Sequence, residues 1–132
     1  MSPTEKRYQK KFANELFRIA EQDLKSAKAM ALIKEIRAEN TLFHVEQAVE
    51  KCIKAVLCHS EKPVPLTHDL FAVLQRLDQS DLPPGGYALH DLTPYATIRR
   101  YEEGVDIIST EDMQLAIGQA EKVLDWARRK LA

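Results

Sequence analysis

The stretch TLFHVEQAVEKCIKAVLC, residues 41–58, decides the fold. Wound at 3.6 residues per turn, it separates into three strips. Leu42, Val45, Val49, Cys52, Ile53 and Val56 make an apolar face. Glu46, Glu50 and Lys54 make a charged flank, which is expected to face water. His44, Gln47, Lys51 and Cys58 make the third strip, interleaved with Ala48 and Ala55. Small alanines between polar side chains let a second backbone approach closely. The reading is a central helix covered on two sides, with a polar seam along one of them.

Working outward, the residues before this stretch also read as a helix. Ser2 can cap, Pro3 suits the first helical position, and Glu5 completes an S-x-x-E capping box. Tyr8, Phe12, Leu16, Ile19, Ala20, Ala27, Met30 and Ala31 then recur at steps of three and four, which carries the helix to about Arg37 unless it bends or stops early. Arg37 to Asn40 is a short link, with Asn40 or Thr41 as the next cap, so the two helices are antiparallel neighbours. The central helix should end near Ser60-Glu61, because Pro63 and Pro65 block continuation.

A third, shorter helix begins at Thr67 as cap, with Asp69 in its first turn and Leu70, Phe71, Leu74 and Leu77 on its apolar face. DQSDLPPGG, residues 78–86, is a loop. Tyr87 to Tyr101 reads as a fourth helical region, in which Thr93 caps a new segment at Pro94 or the helix kinks there. After a loop from Glu102 to Ser109, the last helix opens at Thr110 with Glu111 and Asp112. It buries Met113, Ala116, Ile117, Ala120, Val123, Leu124, Ala127 and Leu131. Arg128, Arg129 and Lys130 complement the dipole of its last turn and need no nucleic-acid partner. No window alternates convincingly as a strand. The expected fold is all-α, one domain over residues 1–132, an up-and-down bundle of four to five helices.

Composition narrows the classes of function. Net charge is -1, so no global field calls for nucleic acid. Two cysteines six apart on one helix point to different sides and read as reduced thiols in a reducing compartment. No targeting segment and no membrane-length apolar run is visible, so a soluble, cytoplasmic protein is expected. There is no phosphate-binding glycine loop, no nucleophile elbow and no zinc spacing among the four histidines, so no cofactor is expected.

The ordered motifs resemble the HEPN domain family. They run through Phe43, His44, Gln47, Ala48, Glu50, Lys51, Lys54, Ala55 and Leu57, then Thr67, His68, Asp69 and Leu70, then Arg100 and Tyr101. Asp23-Leu24 with Ala27, and the closing helix with Trp126, fit the same pattern. The resemblance implies a bundle that often forms a homodimer. It implies a minimal nucleotidyltransferase as partner in a toxin–antitoxin-like arrangement, and binding of nucleotide or RNA. Some relatives are metal-independent ribonucleases with an R-x4–6-H motif. Arg37 and His44 meet that spacing, but Ala38 follows the arginine and the pair opens the second helix, whereas nuclease members carry the motif later.

The candidate ligand-binding residues are His44, Lys51, His68, Arg100 and Tyr101; the candidate catalytic pair is His44 and Arg37. Lys51 and Arg100 suit phosphate oxygens, Tyr101 or Tyr95 suits base stacking, and His44 or His68 suits proton transfer. Three functions follow: a binding module, a metal-independent ribonuclease, or a structural dimer whose seam is only interface.

Overall fold

The computed structural model of the protein describes residues 2–97 and 108–132. They form α1 (Pro3–Met30), α2 (Ala38–His59), α3 (Leu70–Leu74), a 3-10 helix (Gly86–Ala96) and α4 (Thr110–Leu131). No strand occurs among the described residues. The all-α bundle expected from the periodicity is the fold observed. The helix α2 packs against α1, α3, the 3-10 helix and α4. Its apolar face meets Leu70, Val73, Leu74, Leu89, Ile117, Val123 and Leu124 in one continuous core.

Alanines set the approach of α1 to α2. Ala13, Ala20 and Ala27 recur every seven residues on α1, and Ala48 and Ala55 do so on α2; all five are buried. Cys58 Sγ donates to the Gln9 carbonyl, and His44 meets Asp23. Going from the first contact to the second advances fourteen residues on α1 and retreats fourteen on α2. The helices therefore run antiparallel in one register, which sets Ala13 opposite Ala55 and Ala20 opposite Ala48. Without side chains beyond Cβ at these levels, the backbones close in, with the polar seam along the edge of their contact.

Several local expectations are corrected. The inner line of α1 is Ala13, Ala20, Leu24 and Ala27, whereas Phe12 and Ile19 are exposed. The alanines, rather than the larger apolar residues, are what the close approach admits. α1 stops at Met30, not near Arg37, and residues 31–37 form turns. Arg37, not Asn40 or Thr41, is the N-cap of α2, with no side-chain cap bond. Asp69 caps α3 by accepting from the Phe71 N–H, and Thr67 accepts from the Asp69 N–H one step earlier. Thr93 caps neither its own segment nor a kink: its Oγ1 accepts from the Leu70 N–H and ties the 3-10 helix to α3. The region expected from Tyr87 to Tyr101 is a 3-10 helix ending at Ala96, and Tyr101 lies outside the described residues. Gly85, at φ 94°, supplies the left-handed turn that starts it.

The cap of α4 is Ser109, whose side chain accepts from the Asp112 N–H at 3.0 Å, rather than Thr110. Ser109→Ala should therefore destabilise the protein by about 1 kcal/mol, while Thr110→Ala should change stability by less than about 0.5 kcal/mol. Urea unfolding of both variants checks this; equal losses would contradict the assignment.

Candidate functional site

Two carboxylates organise the polar side of α2. Asp23 of α1 receives two groups from α2. Lys51 Nζ donates to its Oδ2 at 2.6 Å, and His44 Nδ1 lies 3.1 Å from its Oδ1. Glu50 of α2 receives the other pair. Lys54 Nζ donates to its Oε2 at 2.9 Å, and His68 Nδ1 lies 2.9 Å from its Oε1. Each carboxylate thus holds one ammonium and one imidazole. An ionised carboxylate only accepts, so facing one the Nδ1 of each ring acts as donor, and Nε2 is the nitrogen not engaged by the carboxylate. Lys54 also donates to the Thr67 carbonyl at 2.8 Å, which pins the segment bearing His68 onto α2.

Helix geometry separates the two clusters. Successive residues are 100° apart on α2, so Glu50 and Lys51 look out on different sides. Lys51 and Lys54 remain neighbours, one turn apart. The seam residues are partly solvated: the His44 side chain is 31% exposed and Lys51 24%, over an Asp23 that is 14% exposed. His68 is 55% exposed. Arg37 sits at the N-cap of α2, with its guanidinium 3.6 Å from Glu39. It is two turns before His44 on the same side, about 10 Å along the axis.

Of the candidate residues, His44 and Lys51 are brought together, on Asp23. His68 is held on the adjoining flank by Glu50, and Arg37 stands two turns away. Arg100 and Tyr101 lie outside the described residues. Tyr95 is half-buried against the core. Asp23 was missed as the organiser of the seam. Its signal was an acid continuing the line of Phe12, Leu16 and Ile19, on the side of α1 that flanks α2.

The charged flank expected to face water does not. Glu46 is fully buried and Glu50 nearly so. Glu46 Oε1 accepts from Gln47 Nε2 at 2.8 Å, and Oε2 is buried on the side of Glu50 with no donor to it among the described residues. Burial first, then the charge of Glu50 one turn on, push the Glu46 carboxyl up to about 9. It is therefore protonated at neutral pH, which removes the cost of a second buried charge beside Glu50. Cys52 is buried on the apolar face, and its thiol is raised by burial. Burial also raises Cys58, so neither thiol is a ready nucleophile.

Among the described residues no three His, Cys, Asp or Glu side chains gather as a metal-binding set. No helix among them is long and apolar enough to cross a membrane. The family model for the HEPN domain matches residues 13–130. The chain belongs to the HEPN domain family. No curated protein and no solved structure matches it. In this HEPN domain the match spans both clusters: Asp23 on α1, the whole of α2, and His68.

Glu46 makes the stability of this HEPN domain depend on pH. Its carboxyl binds a proton more tightly folded than unfolded, so its contribution is complete below pH 4.5 and is lost as pH rises towards 9. Glu46→Gln, which keeps the shape and the neutral state, should flatten that decline. Urea midpoints from pH 5 to pH 9 should fall less steeply in the variant than in the wild type; parallel slopes would refute the buried, protonated Glu46.

Proposed function

We propose that this HEPN module binds a nucleotide or RNA phosphate at the seam of α2. It does so as a homodimer, paired with a minimal nucleotidyltransferase in a toxin–antitoxin-like arrangement. The observation that carries the reading is the convergence of His44 and Lys51 on Asp23 at a partly solvated edge. Lys51 supplies a point charge for a phosphate oxygen, and the His44 ring supplies a second donor when protonated. Asp23 holds both in place and lowers their net charge, so an incoming phosphate competes with it for Lys51. Binding of that kind is selective for geometry and weakens with salt. His68 extends the surface on the Glu50 flank. Arg100 and Tyr101 are assigned a second phosphate contact and a stacking ring. Family membership supports the partner and the dimer.

Isothermal titration with nucleoside mono-, di- and triphosphates and a short RNA tests the binding. Lys51→Ala should weaken it about tenfold or more, as for loss of a charge-assisted hydrogen bond. Lys25→Ala, on the exposed side of α1, should leave it unchanged. Equal affinities in all three proteins, or no heat of binding, would overturn the proposal.

A second reading is favoured by one contact: a carboxylate on His44 Nδ1 orients Nε2 as a general acid or base for metal-independent RNA cleavage, with Arg37 as the cation. Incubation with RNA in chelator should then show cleavage that falls by about 10²-fold or more in His44→Ala. Asp23→Asn should lower it and shift its pH profile. Cleavage that persists in His44→Ala excludes this role.

A further inference from the structure

Away from the seam, α3 and the 3-10 helix place three rings at the surface. Phe71 and Tyr87 have centroids 5.1 Å apart at 43°, and Phe71 and His90 lie edge-to-face at 6.0 Å. Tyr87 is half-buried against the core, while Phe71 is 43% exposed and the His90 side chain 50%, so the cluster is anchored at Tyr87 and open at the other two rings. Its rim is acidic. Asp69 Oδ1 lies 3.5 Å from His90 Nδ1, and the exposed Asp91 adjoins it along the 3-10 helix. His90 and Asp91 also line a shallow cavity of about 310 Å³ with Pro94 and Tyr95.

We propose that this ring cluster, with Asp69 and Asp91 at its edge, is a docking surface for an arginine side chain of a partner protein. Ring faces carry negative charge and attract a cation, and a guanidinium stacks on them while its fork donates to carboxylates. Lysine meets the charge but not the planar stacking. A phosphate meets two carboxylates and is repelled, so a nucleic acid fits this surface poorly although it also stacks on rings. The charge of the rim therefore chooses protein over nucleic acid. The surface lies on elements that contribute neither His44, Lys51 nor Asp23, so it stands or falls independently of the seam.

Amide resonances of the full chain, titrated with a capped tri-arginine peptide, test this. Those of Phe71, His90 and Asp91 should shift saturably. Asp91→Asn, at an exposed position, should weaken the response about two- to fivefold. Phe71→Leu, which keeps an apolar contact for α3 but removes the ring, should do likewise. A capped tri-glutamate peptide and a short single-stranded RNA should leave these resonances in place. The proposal is overturned if the arginine peptide moves nothing there, if both variants respond like the wild type, or if the glutamate peptide or the RNA moves the same resonances as strongly.

Discussion

A helix packed on nearly every side cannot leave its polar groups to water. That constraint governs α2. It touches four other helices, and fourteen of its 22 residues are buried. Yet it carries two glutamates, two lysines, a histidine and a glutamine within three turns, from His44 to Lys54. Each has to find a partner inside the chain or change its charge. Lys51 and His44 find Asp23 across the alanine contact with α1. Lys54 finds Glu50 and the Thr67 carbonyl. Glu50 also takes His68, and Glu46, buried beside Glu50 and only weakly offset by Lys54, takes a proton. An unpaired carboxylate at the Glu46 position would cost several kcal/mol, more than any one apolar contact of α2 supplies.

This explains why some features could be read from residue order and others could not. The apolar strip and the polar seam of α2 depend only on 3.6-residue periodicity and stand as read; the charged strip keeps its line of residues but is buried rather than facing water. The small-residue strip was also legible, because alanines at seven-residue spacing have few uses besides close approach. Caps were less so. Ser109 and Thr110, or Thr67 and Asp69, lie one or two residues apart with similar capping ability, and the choice falls to tertiary packing that moves a helix start by a few residues. The Tyr87–Ala96 stretch has helical apolar spacing, but Gly85, Gly86 and Pro94 within a few residues favour the tighter 3-10 winding.

The error at Glu46 and Glu50 has a particular cause. Acids spaced four apart beside a lysine are the usual mark of a solvated face, and composition alone cannot reveal a neighbour that covers them. What covers Glu50 begins with Thr67 and His68, 17 and 18 residues away and joined to α2 through prolines. The motif containing Thr67, His68, Asp69 and Leu70 is therefore better understood as architecture first. His68 closes over Glu50, Thr67 offers its carbonyl to Lys54, Asp69 caps α3, and Leu70 enters the core. Four consecutive residues each complete a different contact, so their order has an architectural account alongside the surface role proposed for His68.

The same reasoning separates the two histidines. His68 closes over a nearly buried carboxylate that already has a lysine and a covering loop, so its ring completes a structural network. His44 sits over Asp23 at an edge where nothing else of the chain takes up its Nε2 among the described residues. The Asp23 carboxylate also bridges two helices rather than two turns of one helix. Moving α1 by one residue against α2 would therefore break its bonds to His44 and Lys51 together, whereas Glu50 and Lys54 would stay paired on α2. A group whose geometry is set by the packing of two helices is sensitive to anything that shifts that packing. Of the two carboxylate-centred clusters, the one on Asp23 thus depends on how α1 sits against α2, and the one on Glu50 ties the His68 segment to α2.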